Sequence, residues 1–260
     1  MQNRIDQCFK TLRSRSEKAF IAYICAGDPS LARTVDLALA LQNAGTDILE
    51  LGVPFSDPLA DGLVNQLAAQ RALEGGATVR GVLECVRQIR RRSQIPIVLY
   101  TYMNPIFQFG LDRFHREATD AGVDGLLILD LPPEEDPQVG GLLHIRLIAP
   151  TTPPDRIQQI CARAAGFIYY VSREGVTGVQ SSVASSLAER VAQIRQCTHL
   201  PIAVGFGIST AEQAREVAQI ADAIVVGSAI VEKISENSSA SDMPERIGEF
   251  VKPLAAAVKL

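Results

Sequence analysis

The chain of 260 residues has no tryptophan and few other aromatics, and its Lys and Arg are scattered within a net charge of −4. Without a basic stripe, nucleic-acid binding has little electrostatic support. Its five cysteines, Cys8, Cys25, Cys85, Cys161 and Cys197, show no C-x-x-C spacing. They read as reduced thiols in apolar sites rather than as disulfides or a zinc centre. His115, His144 and His199 have no metal-ligand spacing and no H-E-x-x-H, so no metal is expected and none of the three is given a role. No run approaches the ~18 apolar residues of a membrane span, and the first residues lack the apolar core of a signal peptide. The expectation is a cytoplasmic protein, or a plastid one if a transit peptide once preceded Met1. A G-x-S-x-G elbow, a P-loop and a G-x-G-x-x-G fingerprint are also missing.

What is present is alternation. Short β-branched runs at 20–25, 47–51, 95–100, 125–129, 145–149, 167–171, 202–204 and 223–226 predict eight strands. Amphipathic stretches at 31–44, 64–74, 79–91, 111–121, 154–164, 185–195 and 211–219 predict the helices between them. Eight β/α alternations in one domain spanning 1–260 fit a (β/α)8 TIM barrel better than a doubly wound open sheet. Helical spacing of Ile5, Cys8, Phe9 and Leu12 adds an extra N-terminal helix under the barrel. A final helix over 244–258 contains Pro253.

The most informative stretch is Ile48-Leu49-Glu50-Leu51-Gly52-Val53-Pro54-Phe55-Ser56-Asp57-Pro58-Leu59-Ala60-Asp61-Gly62. It places a lone carboxylate inside an apolar strand. Strand alternation puts Ile48, Glu50 and Gly52 on one face, and an ionised Glu there costs several kcal/mol unless something uses it. A structural ion pair is the plain alternative, but no Lys or Arg shares that face of the strand. Asp61 could be an N-cap for the helix starting near Leu63, and Asp57 a turn residue. Tyr102 and Tyr169 read as packing or pocket walls rather than acid–base groups. Three late glycine clusters, Gly175 to Gly178, Gly205 to Gly207 and Gly227-Ser228, are either turn punctuation or an anion cradle suited to a phosphate monoester.

These residues resemble the tryptophan synthase α-subunit family, through the stretch from Leu49 to Gly62 and through five further motifs. They are Ala26-Gly27-Asp28-Pro29, Asp130-Leu131-Pro132-Pro133-Glu134-Glu135, Ser172-Arg173-Glu174-Gly175-Val176-Thr177-Gly178, Gly205-Phe206-Gly207-Ile208 and Gly227-Ser228-Ala229-Ile230-Val231. The resemblance implies retro-aldol cleavage of indole-3-glycerol phosphate to indole and glyceraldehyde 3-phosphate. Glu50 is then the acid–base group, and Asp61 stabilises the charge that develops on the indole nitrogen. It also implies phosphate binding around Gly178, Gly207, Gly227 and Ser228, and an indole pocket walled by Tyr23, Leu99, Tyr102, Tyr169 and Phe206. Asp57, Arg173 and Thr177 would close over the substrate and signal to a partner. That partner is a pyridoxal-phosphate-dependent β subunit in an α2β2 assembly, and no cofactor is implied for this chain. A stand-alone indole-releasing lyase and a non-catalytic β-binding paralogue are the alternatives. A phosphosugar isomerase or aldolase is disfavoured because no Schiff-base Lys stands at a strand end.

Two departures accompany the resemblance. Leu63 stands where the family usually has Pro, and the segment 136–145 is about two helical turns short, with a Pro and paired Gly. The helix after strand 4 is therefore expected to be shortened or missing, with apolar surface exposed on strands 4 and 5 and stability reduced.

Overall fold

The computed structural model describes residues 3–136, 140–171, 180–205 and 207–259. Its strands are β1 (Ala19–Cys25), β2 (Ile48–Gly52), β3 (Ile97–Thr101), β4 (Gly125–Ile128), β5 (Leu143–His144), β6 (Arg146–Ile148), β7 (Ile168–Val171), β8 (Ile202–Gly205) and β9 (Ala223–Val226). All pairings are parallel, in the order β5-β4-β3-β2-β1-β9-β8-β7-β6. The fifth strand read from the sequence is divided in two. β5 pairs with β4 and β6 with β7, and the residue between them, Ile145, donates its amide to Leu126 O at 2.9 Å. The sheet closes into a TIM barrel through that one residue.

Eleven α-helices lie among the described residues: α1 (Arg4–Ser14), α2 (Leu31–Asn43), α3 (Leu63–Glu74), α4 (Val79–Arg90), α5 (Met103–Phe109), α6 (Leu111–Ala121), α7 (Pro154–Ala162), α8 (Gln180–Arg195), α9 (Ala211–Ala218), α10 (Ser228–Glu236) and α11 (Met243–Ala256). Several starts are set by side-chain caps. Ser30 accepts from Arg33 N, Thr78 from Gly81 N, and Thr210 forms a reciprocal capping box with Gln213. The sequence reading had no counterpart for α5, because Asn104-Pro105 looks like a turn while Pro is tolerated in a first helical turn.

Period-two alternation divides the core. Leu49, Leu51, Ile97, Leu99, Leu126 and Ile128 pack outward under the helices, while Ile21, Ile48, Val98, Leu127, Ile145 and Phe167 fill the barrel. Helix α1 plugs the bottom as expected. Ile5, Phe9 and Leu12 join the interior cluster, and Phe9 meets Phe167 at 5.8 Å between ring centroids.

One device recurs at the bottom of the barrel. Asp47, Asp124 and Asp222 each precede a strand and accept the amide of a residue in the neighbouring strand: Phe20 at 2.7 Å, Ile97 at 2.8 Å and Ile202 at 3.0 Å. Each also meets a cation, Lys259 at 2.5 Å, Arg90 at 2.8 Å and Arg195 at 3.0 Å respectively. Strand-start amides that the ladder leaves open are thereby satisfied.

Between β4 and β5 the described residues contain no α-helix, only a 3-10 turn, Pro133–Glu135, in keeping with the helix expected to be shortened or missing there. The expected exposed apolar surface is not found. Leu126, Ile128, Leu142 and Ile148 are all buried. A polar cluster occupies this side instead, in which buried Asp136 pairs with Arg146 and lies 2.5 Å from His144 Nδ1. The His144 ring stacks on His115 with centroids 5.8 Å apart and planes 3° from parallel. Burying a guanidinium is tolerable only with its counter-charge. Asp136→Asn should therefore cost about 3–5 kcal/mol in urea unfolding at pH 7, and a loss under about 1 kcal/mol would refute this role for the cluster.

Candidate active site

Glu50 is the middle residue of β2, in register with Tyr23 of β1 and Val98 of β3, and only 1% exposed. It points into the barrel, as alternation from Ile48 and Gly52 requires. Among the described residues it forms no ion pair, and its buried Oε1 has no hydrogen-bond partner. The structural ion-pair reading therefore finds no support. Burial, and then the nearby Asp61 carboxylate, push its pKa up to about 8. A carboxyl of that kind holds a proton near neutrality yet can release it.

Asp61 follows β2 on the loop leading to α3. It is not the helix cap: the cap position belongs to Gly62. Its carboxylate instead accepts from Tyr100 Oη at 2.9 Å on Oδ1 and from Tyr102 Oη at 2.7 Å on Oδ2. Burial raises the Asp61 pKa, while hydrogen bonds from Tyr102, Tyr100 and Asn65 pull against it by favouring the charged form. Two carboxyls thus sit in one apolar mouth, one without a donor on its inner oxygen and the other held by several.

Both line a cavity of about 790 Å³ at the C-terminal end of the strands, together with Tyr23, Tyr100, Tyr169, Gly207, Gly227 and Ser228. Expected wall residues Tyr23 and Tyr169 are there, each with room made by a glycine across the strand pair. A Cβ on Gly52 would come within 2.5 Å of Tyr23 Oη, and one on Gly205 within 2.6 Å of Tyr169 Oη. Gly207 (φ +62°) lies in open space, and α10 begins at Ser228 on the cavity rim, where first-turn amides have no intrahelical acceptor.

Other expectations need correction. Leu99 does not line the cavity: odd positions of β3 face outward, and it is buried among the helices. Its neighbour Tyr100 takes the place expected of it. Tyr102 is not among the residues lining the cavity; its ring lies 5.4 Å from Phe55 and its hydroxyl donates to Asp61. Asp57 is exposed, accepts from Ser56 Oγ at 2.5 Å, and lies off the cavity. Arg173, Thr177, Gly178 and Phe206 lie outside the described residues. The sequence reading also missed Asn65, Leu147 and the rim Ala149-Pro150-Thr151, all of which line the cavity. Tyr100 was legible in principle, standing two residues after Val98 on the inward face.

A carboxyl whose folded-state pKa is raised binds a proton that the unfolded chain has already lost, so its burial weakens folding progressively from about pH 4.5 to about pH 8. Glu50→Gln removes that penalty. In urea titrations its stability gain over the wild type should be near zero at pH 4, grow through this window and reach a few kcal/mol at pH 8. A gain independent of pH would show that Glu50 is not held in this way.

The family profile for the tryptophan synthase alpha chain matches residues 9–259. A tryptophan synthase alpha chain of Opitutus terrae is 55% identical over 94% of this chain and 93% of its own length. One from Geobacter sp. strain M21 is 48% identical over 98% of both. Among solved structures, tryptophan synthase subunit alpha from Legionella pneumophila str. Paris superposes with a TM-score of 0.91 at 39% identity, covering 99% of each chain. Tryptophan synthase from M. tuberculosis in its aminoacrylate-bound form gives 0.88 at 32% identity, over 99% of this chain and all of that one. With its barrel, its paired carboxyls and these relatives over nearly the full length, the chain belongs to the tryptophan synthase alpha chain family.

Proposed function

We propose that Glu50 and Asp61 divide the chemistry of this lyase between them. The reaction is cleavage of indole-3-glycerol phosphate to indole and glyceraldehyde 3-phosphate, the α reaction of tryptophan biosynthesis. Breaking the bond from indole C3 to the glycerol chain needs a proton delivered to C3 and one removed from the adjacent side-chain hydroxyl. The observation that carries the assignment is the buried Glu50, whose Oε1 has no hydrogen-bond partner among the described residues and whose pKa is pushed up to about 8, suited to giving the first proton and taking the second. Protonation at C3 drives positive charge onto the ring nitrogen. Asp61, kept as an acceptor by its hydroxyl donors, takes the indole N–H and stabilises that charge. Tyr23 and Tyr169 flank the ring, and the substrate phosphate binds the backbone amides around Gly207, Gly227 and Ser228 at the start of α10; phosphate binding is assigned to Gly178 as well, and a part in the indole pocket to Phe206. Asp57, Arg173 and Thr177 act in closure.

None of the described residues between 130 and 146 lines the cavity, which favours an active enzyme over a paralogue that only binds. The partner is a tryptophan synthase β subunit, in an α2β2 complex working in the cytoplasm. Leu59 (89% exposed) and Leu63 (69%) follow β2, and Phe107 (67%) follows the adjacent β3. These exposed apolar side chains follow the strand ends on the cavity side of the barrel, and the contact with the partner is assigned to them.

Indole release tests the division of roles. Glu50→Gln should lower kcat by about 10²–10⁴-fold and Asp61→Asn by about 10²-fold. Wild-type turnover in Glu50→Gln overturns the acid–base assignment. Light scattering of the mixture with β subunit should give the mass of four chains, and Leu59→Asp with Phe107→Asp should weaken that association at least tenfold. A two-chain complex, or affinity unchanged by the substitutions, speaks against the assembly or its surface.

A further inference from the structure

The Asp61 carboxylate is restrained in two different ways. Tyr102 Oη donates to Oδ2 at 2.7 Å and accepts the Ala60 amide at 3.0 Å, so it ties down loop backbone as well as carboxylate. Among the described residues Tyr100 Oη donates only to the carboxylate, at 2.9 Å from Oδ1. The Tyr100 ring is fixed from behind. It meets Tyr23 edge-on, with centroids 5.0 Å apart and planes at 69°, and Tyr23 fits only because Gly52 has no Cβ. Burial foremost, and Asp61 after it, push the Tyr100 pKa far above the usual phenol range, so the hydroxyl stays a donor at every working pH.

We propose that Tyr100 is a positioning residue of the cleavage reaction. Its hydroxyl and that of Tyr102 each occupy one oxygen of Asp61 and hold the carboxylate in a single orientation, with the remaining lone pairs directed to the indole N–H. The proposal rests on Asp61 being the acceptor of that N–H. With Tyr100 removed, the carboxylate keeps Tyr102 and Asn65 but loses the donor on Oδ1, so it is held less firmly and its charged form is less favoured. Transition-state stabilisation falls while the pocket keeps its shape.

The test is steady-state indole release from indole-3-glycerol phosphate by wild type, Tyr100→Phe, Asp61→Asn and the double variant, as a function of pH. Tyr100→Phe keeps the ring and its packing, so its urea midpoint should match the wild type. Its kcat should drop about tenfold with KM within about twofold, the pattern of an interaction made in the transition state. The acid limb of kcat/KM should move up by about one pH unit, since Asp61 must then be deprotonated with one donor fewer. In the Asp61→Asn background the same substitution should cost nothing further. Wild-type kcat and an unmoved acid limb in Tyr100→Phe, beside a crippled Asp61→Asn, overturn the role of Tyr100 and leave Asp61 standing. Full activity in Asp61→Asn overturns both, and a loss that adds undiminished in the double variant overturns the coupling between them.

Discussion

The arrangement depends on a carboxyl group kept in an apolar strand with no cation paired to it among the described residues. Everything near Glu50 serves that condition. Neighbouring inward positions carry Tyr23, Val98 and Tyr100, so water is replaced by rings and aliphatic carbon. The second carboxyl raises the cost of ionising the first. Burial raises both acids of the cavity, but Asp61 accepts several hydrogen bonds that oppose its rise, whereas Glu50 has no such counterweight on its inner oxygen among the described residues. The stability lost by burying Glu50 is the physical expense of having a proton available at neutral pH.

The two ends of the barrel solve opposite problems. At the bottom, Asp47, Asp124 and Asp222 are saturated with strand amides and basic side chains, and the plug of α1 closes the interior. Those acids are structural because each is held both by a strand amide and by a cation. At the top, Glu50 Oε1 and Asn65 Oδ1 are buried with no partner among the described residues, and the helix start at Ser228 lies on the cavity rim. A carboxyl and an amide oxygen with unmet hydrogen-bonding capacity thus face the place where a substrate enters, in keeping with the division of labour in this fold.

The short connection after β4 shows how a barrel tolerates the loss of a covering helix. The outward apolar residues of β4 remain buried, and the interrupted strand carries Arg146 and His144 toward Asp136 in place of another amphipathic surface. A 3-10 turn is tied across to the next helix through Arg163 to Pro133 O at 3.2 Å and Arg156 to Glu134 at 3.0 Å. Charge pairing has taken over a task that apolar packing performs elsewhere around the barrel.

Local pattern was enough for the barrel, for the strand that carries Glu50 and for the direction of that side chain, because strand alternation and β/α periodicity are written in consecutive residues. The same alternation, applied to 97–101, separates inward Tyr100 from outward Leu99, a distinction that the family resemblance alone had blurred. What sequence could not decide was partnership at a distance. That Asp61 is held by hydroxyls from β3 rather than capping its own helix, that His144 and His115 stack across a gap left by a missing helix, and that Gly52 makes room for Tyr23 on the neighbouring strand all follow from closure of the barrel. Closure brings together side chains tens of residues apart, and only there do burial and hydrogen bonding determine which acid keeps its proton.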